Sequence, residues 1–377
     1  MTPKQRFLTA VSGRQPDVVP CSPLIHCRYA NKVLGTSDWK SVYEVHRRLN
    51  TVHHRGPIGV GWWGEMPPGY EERSEVVARE GERVETRSWL TTPRGTLTSL
   101  SVNGMIPGDP LTGKMVEYPV KSPDDWRIYL DWLEQWAAAG KAYTDTALEA
   151  YETMGEEGSP SVGMGSLFQM LGSMRGMQQL IYDQYDCPDL LEACAEPIMH
   201  VLRQQGEAVA KLPNEVSWID ICWATGAEIE LEHMERWVLR SAREVIDAIH
   251  STPGAGSRSE PQRYVGFYTL GRIRRYLPAL VDTGIDFIET FEPNQGDISL
   301  AEAKKLYGDK VCLMGNFDCL VLARGTVEDA KAEARRCLRE GMESGGYVMA
   351  TADEVPADAQ WDNLRAMSDV CLEEGVY

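Results

Sequence analysis

Gly284-Ile-Asp-Phe-Ile-Glu-Thr-Phe-Glu-Pro-Asn-Gln-Gly-Asp-Ile-Ser-Leu-Ala-Glu-Ala-Lys-Lys-Leu-Tyr-Gly-Asp-Lys-Val-Cys-Leu-Met-Gly-Asn-Phe-Asp318 reads as strand, capped helix, strand. Phe287-Ile-Glu-Thr-Phe291 and Val311-Cys-Leu-Met314 are nearly all apolar, as strands covered on both faces must be. Between them, Ser299-Leu-Ala-Glu302 has the spacing of a capping box and predicts a short helix ending at Gly308. Two strands joined by a helix run parallel, because a parallel neighbour is reached only through a crossover. The same alternation spreads outward, predicting strands over 216–222, 264–268, 286–291, 311–316 and 346–350. Thr326-Val-Glu-Asp329 opens another helix, with Gly345-Gly346 as its stop. The second half is therefore a parallel α/β architecture.

Toward the amino terminus the pattern loosens. Pro3 marks a first helix, Val18-Val-Pro-Cys-Ser-Pro-Leu-Ile25 reads as a first strand, and Pro160-Ser-Val-Gly-Met-Gly165 as another. The stretch from about 56 to 120 is rich in Gly, Pro, Thr and alternating residues, as expected of a β-rich excursion inserted into one domain spanning 1–377. Thr91-Thr-Pro-Arg-Gly-Thr-Leu-Thr98 supplies a turn between two of its strands. Ser122-Pro-Asp-Asp125 caps a helix through Trp126, Leu130, Leu133 and Trp136, and a further helix covers about 189–210.

Composition excludes several functions. With 56 acidic against 38 basic residues the formal net charge is −18, which repels polyphosphate backbones and anionic membrane surfaces. No run of eighteen apolar residues could span a bilayer, and no apolar leader precedes a cleavage site, so a cytoplasmic location is expected. The nine cysteines lack any CxxC pair and read as reduced packing residues. Gly59-Val-Gly-Trp-Trp-Gly64 matches the dinucleotide fingerprint, but Glu65-Met-Pro-Pro cannot open the helix that must hold the phosphate. Trp62 and Trp63 read either as an aromatic loop over a ligand or as a packed hairpin. His53-His54 is expected as a solvated pair, and Glu228-Ile-Glu-Leu-Glu-His233 as a polar helix entry. Neither is a specific metal pattern.

The Gly-Asp ahead of a Leu-Ala-Glu-x-Lys helix, followed by a strand ending in Gly-Asn-x-Asp, resembles the uroporphyrinogen decarboxylase superfamily. The opening Thr2-Pro-Lys-Gln-Arg-Phe, Pro16-Asp-Val-Val-Pro20, the closing Gly345-Gly-Tyr-Val-Met-Ala and Asn363-Leu-Arg-Ala-Met367 extend the resemblance over nearly the whole chain. It implies a (β/α)₈ TIM barrel that either decarboxylates a porphyrinogen or passes methyl groups to and from a corrinoid protein. In such a barrel the chemistry sits at the carboxyl ends of the strands. The residues expected there include His26, Arg28, Asp220, Cys222, Trp223 and Tyr268, then Glu289, Glu292, Asn294, Asn316, Asp318, Thr351, Asp353 and Glu354.

Two departures sort the alternatives. Porphyrinogen decarboxylases carry an arginine pair after the first strand and an aspartate after the next, whereas here Arg28 stands alone and the second loop is taken as Trp62-Trp-Gly-Glu65. Similar methyltransferases use His-x-Cys at the fifth strand to place zinc, and this chain has Tyr268-Thr-Leu270, so no zinc is expected. The expectation is a methyltransferase component that demethylates a small methoxylated or methylated substrate and hands the methyl to a corrinoid (cobalamin) on a partner protein, a homodimer being compatible. Tyr268, Glu289, Glu292 and Asp353 are the candidate catalytic residues, with the Tyr268 hydroxyl or a carboxyl of raised pKa such as Glu289 or Asp353 expected to protonate the leaving oxygen in place of zinc. His26, Arg28, Trp62, Trp63, Trp223, Asn294, Asn316 and Asp318 are the candidate substrate-binding residues. A decarboxylase or lyase on a carboxylated ring is the alternative, and a catalytically silent binding subunit the third.

Overall fold

The computed structural model describes residues 1–106, 108–251 and 263–377. Six parallel strands follow one another in sheet order, Val162–Met164, Val216–Asp220, Tyr264–Tyr268, Phe287–Glu289, Cys312–Met314 and Tyr347–Val348. Each is buried on nearly every residue, which is why five of them were legible as apolar runs. Two further segments close the ring. Residues 18–25 lie beside the last strand, where Ser22 N–H donates to Met349 O at 2.8 Å and Met349 N–H to Pro20 O at 3.0 Å. Residues 51–60 then bridge the gap: Val52 N–H donates to Cys21 O at 2.8 Å, and Gly163 N–H to Ile58 O at 2.9 Å. Parallel bridges at Cys21–Met349, His53–Gly158 and Gly59–Gly163 complete the (β/α)₈ barrel.

The second of these eight strands corrects the sequence reading, which began the excursion at about 56; Trp62–Glu65 does follow this strand, as expected. Thr51-Val-His-His-Arg-Gly-Pro-Ile58 carries too few β-branched residues to announce a strand. Its extended form comes from partners at sequence distances of about thirty and a hundred residues, between Cys21 and Gly163.

Helix Pro3–Val11, opened by a reciprocal Thr2–Gln5 capping box, closes the amino-terminal end of the barrel. Its Phe7 is fully buried in one cluster with Val52, Val216, Tyr264, Phe287, Met314 and Val348. The excursion is a four-stranded antiparallel meander of Glu71–Glu80, Arg83–Thr92, Gly95–Asn103 and Gly113–Glu117. Just before the last of these, Thr112 Oγ1 accepts from Arg28 Nη1 at 3.3 Å, so the sheet reaches the carboxyl-terminal rim of the barrel.

The helix starts expected at Thr326 and Ser299 hold, whereas Ser122 does not cap: helix Asp125–Ala139 has Asp124 at its N-cap, and the Ser122 N–H and hydroxyl donate to Asp125 Oδ2. Thr326 accepts from Asp329 N–H and Asp329 reciprocates, whereas Ser299 caps Glu302 N–H without return because the Glu302 carboxylate is taken by Arg274. Thr326→Ala should therefore cost about 1 kcal/mol, readable as a lower urea midpoint at unchanged slope.

Candidate active site

At the carboxyl-terminal mouth the second strand places Arg55 over the barrel interior. Its guanidinium carbon lies 3.7 Å from the ring centroids of both Trp218 and Tyr268, and Nη1 donates to Glu289 Oε2 at 3.2 Å. The other Glu289 oxygen meets His54 Nε2 at 2.8 Å, while His54 Nδ1 lies 2.5 Å from Ser22 Oγ. Ser22 Oγ in turn donates to Val52 O at 2.5 Å, so the His54 ring is held between the Glu289 carboxylate and the serine oxygen. Burial alone would push the Glu289 carboxyl up, but Arg55 and His54 overcome it and hold the group below the usual carboxylate range.

Glu289 is therefore not the raised acid expected from its place at a strand end. It is a sealed anion, fully buried beneath Arg55. His53 and His54 are likewise buried rather than solvated, and His53 packs edge-on to His46 at 5.1 Å on the outer side of the strand. Arg55 escaped the sequence reading, and His54 entered it only as half of a solvated pair. Period-2 alternation could not have found both, since it puts neighbouring residues on opposite faces, whereas both reach Glu289.

The third arc of the mouth is acidic. Tyr268 donates its hydroxyl to Asp353 Oδ1 at 2.7 Å, and Glu354 N–H donates to the same oxygen at 2.7 Å. Burial, reinforced by Asp353, pushes the Tyr268 phenol well above its usual range, so its proton stays on. Glu292, half-buried, is raised by burial and then by the neighbouring Asp353 and Asp318 carboxylates. It is the carboxyl at the mouth poised to hold a proton to higher pH. Asp220 accepts from Gln169 Nε2 at 2.7 Å and from Cys222 N–H at 3.0 Å, and burial pushes the Cys222 thiol far up.

Other expected binding residues divide between rim and shell. His26 and Arg28 stand on the rim by the first strand. Arg28 is paired with Glu354, and burial keeps His26 below the usual imidazole range. Asn294 Nδ2 donates to Asp318 Oδ2 at 2.9 Å, and Asp318 also caps the helix Cys319–Arg324, so this pair too is rim. Trp223, half-buried, packs against Gly172 in the helix behind the third strand. Asn316 is a correction: its side chain faces the helical shell, where Oδ1 accepts from Arg336 at 3.0 Å. Trp62 is another. Gly61–Trp63 pairs antiparallel with Lys141–Tyr143, and the Trp62 indole donates to Trp136 O at 3.0 Å over Gly140, where no side chain would fit. That is the packed hairpin, with Trp63 65% exposed on its outer side.

At the opposite end of the barrel a cleft of about 920 Å³ opens among Ser12, Tyr264, Lys304, Cys312, Arg339 and Glu340. Its cations are matched by acids, Lys304 is spent on Gly345 O, and Asp286 holds His250 and Val265 N–H. These are the ties of a structural face, as expected of that end.

A closed (β/α)₈ barrel whose carboxyl-terminal mouth gathers a buried guanidinium, a tyrosine and several carboxylates is the class in which loops and strand ends at that mouth carry the chemistry. Residues 131–373 match the uroporphyrinogen decarboxylase (URO-D) family, and the chain belongs to it. It is 34% identical over 101 residues to a uroporphyrinogen decarboxylase from Chlorobium luteolum, covering 26% of this chain and 27% of that protein. A second, from Chlorobium phaeovibrioides, is 35% identical over 80 residues, covering 20% and 22%. The chain thus aligns with about a quarter of the length of these curated relatives. The solved structure of a methyltransferase from Methanosarcina mazei shares the fold, with a TM-score of 0.62 at 14% identity over 99% of each chain. Among the described residues no helix is long and apolar enough to cross a membrane.

Proposed function

We propose that this chain is a methyltransferase component that removes a methyl group from a small methoxylated or methylated substrate and delivers it to a corrinoid carried by a separate protein. The observation that carries the reading is the acidic arc, Tyr268 locked on Asp353 with raised Glu292 beside them. It can supply a proton to a leaving oxygen at the place where similar methyltransferases keep zinc ligands. Tyr268 and Leu270 stand there, and neither a neutral phenol hydrogen-bonded to a carboxylate nor an aliphatic side chain suits that metal. No step is therefore routed through zinc, and elemental analysis should find none bound. About one zinc per chain would overturn this.

A corrinoid on the partner protein would supply a reduced, nucleophilic metal able to take the methyl group. The methyl–oxygen bond breaks, its electron pair stays on the oxygen, and that oxygen takes the proton of Glu292. Tyr268 keeps its own proton and fixes Asp353, whose charge helps hold the proton on Glu292 beforehand.

Porphyrinogen decarboxylation is the second reading, favoured by the names of the curated relatives. Against it, Arg28 is already held by Glu354, the loop after the second strand, Trp62-Trp-Gly-Glu65, has no aspartate for pyrrole N–H groups, and the strand itself turns the Arg55 guanidinium inward. Donor would face donor. The test is direct: with 4-methoxybenzoate and reduced cobalamin, the protein should convert the cobalamin spectrum to the methylated form and release 4-hydroxybenzoate. Coproporphyrinogen formed from uroporphyrinogen at about 1 s⁻¹ or faster would replace this reading with the second.

A further inference from the structure

We propose that Arg55 anchors a carboxylate of the substrate, which makes the substrate class a small organic acid. This rests on the reading of the mouth as the substrate site, but not on which reaction occurs there. A guanidinium carries five N–H donors. Arg55 spends one of them, from Nη1, on Glu289, and among the described residues Nε and Nη2 make no hydrogen bond. If Arg55 were only the partner of Glu289, a two-pronged fork would satisfy both groups better. Instead the contact is a single one of 3.2 Å, because His54 occupies the other carboxylate oxygen. The spare donors of this cation, 7% exposed, are not sealed from solvent, so they face the mouth where the acceptors of a ligand can replace water.

Its surroundings say which end of a ligand it takes. Trp218 and Tyr268 hold the guanidinium in place, so little rotamer freedom is lost when it binds. The other cation of the rim, Arg28, is occupied by Glu354 and Thr112, and His26 is kept neutral at neutral pH by burial. Asp353, which accepts from the Tyr268 hydroxyl, repels an anion. An acid with its carboxylate on Arg55 therefore turns its other end toward Glu292, where a methyl–oxygen bond would be broken.

Binding tests this without any turnover. Benzoate and 4-methoxybenzoate should bind the purified chain about tenfold or more tightly than benzamide and 4-methoxybenzamide, measured by calorimetry. Arg55→Gln alone leaves the buried Glu289 with only His54 to answer it and endangers folding, so the decisive variant is R55Q/E289Q, which removes both charges. With circular dichroism unchanged, it should bind acids and amides alike. Equal affinity for acid and amide in the unmodified chain, no binding of either acid at millimolar concentration, or a preference that survives in R55Q/E289Q each overturns the assignment. Failure of methyl transfer to cobalamin would sink the reaction proposed above and leave this result standing.

Discussion

Glu292→Gln should lower turnover by about 10²-fold or more, the usual cost of losing a general acid. The change is nearly isosteric and the side chain is half-buried, so the fold should persist. The sign of the pH dependence follows from the direction of its shift. The reaction needs the protonated carboxyl, so the rate is full below the raised value and falls as pH rises through it. In Glu292→Gln that falling limb should disappear, leaving a low rate independent of pH over the same window. Tyr268→Phe keeps the ring against Arg55 but releases Asp353, and a loss of similar size is expected in kcat with little change in KM. If both variants keep full rates, the chemistry belongs to the arc of His26 and Arg28.

The largest effect on stability should come from Arg55→Met. It leaves Glu289 charged and fully buried, with only His54 to answer it, a situation that costs about 3–5 kcal/mol. The loss of two ring contacts adds to this. Arg55→Met combined with Glu289→Gln should recover most of the loss, because the carboxylate, not the missing cation, is what cannot be tolerated. Acid narrows the difference. Glu289 sits below its unfolded value near 4.5, so its contribution is fully present above that pH and lost as pH falls through the lower folded value. The gap between the two urea midpoints should therefore shrink on acidification. A gap that widens would show that Arg55 stabilises the fold without Glu289.

How far the sequence could be read depends on where the cause of each feature lies. The strands at Val216–Asp220, Tyr264–Tyr268 and Phe287–Glu289 announce themselves because burial on both faces forces apolar residues into consecutive positions. Residues at their carboxyl ends, such as Tyr268, Glu292 and Asp353, follow from the same local cue. What stayed hidden was set by contacts distant in sequence. Residues 51–60 become a strand only between Cys21 and Gly163, so His54 and Arg55 could not be assigned to the barrel interior beforehand. Asn316 sat at the right height, but its side chain turns to Arg336, twenty residues later, and nothing local predicts that. Glu289 was placed correctly and its ionisation mistaken, since the partners that lower it came from the strand that was missed.

The seam between residues 18–25 and the last strand bears on how the chain reaches this state as it leaves the ribosome. Cys21 bridges to Met349 and Val18 to Val376, and Val19 N–H donates to Gly375 O at 2.8 Å, so this strand is sealed by residues made much later in synthesis. At about 5–20 residues per second, Cys21 would wait roughly 15–65 s for its partner. During that interval the nascent barrel is an open crescent with two bare edges, a target for chaperones and for pairing with other chains. A premature stop anywhere before residue 346 would fix the chain in that form, so truncation near the carboxyl terminus should yield insoluble protein rather than a slightly shortened enzyme.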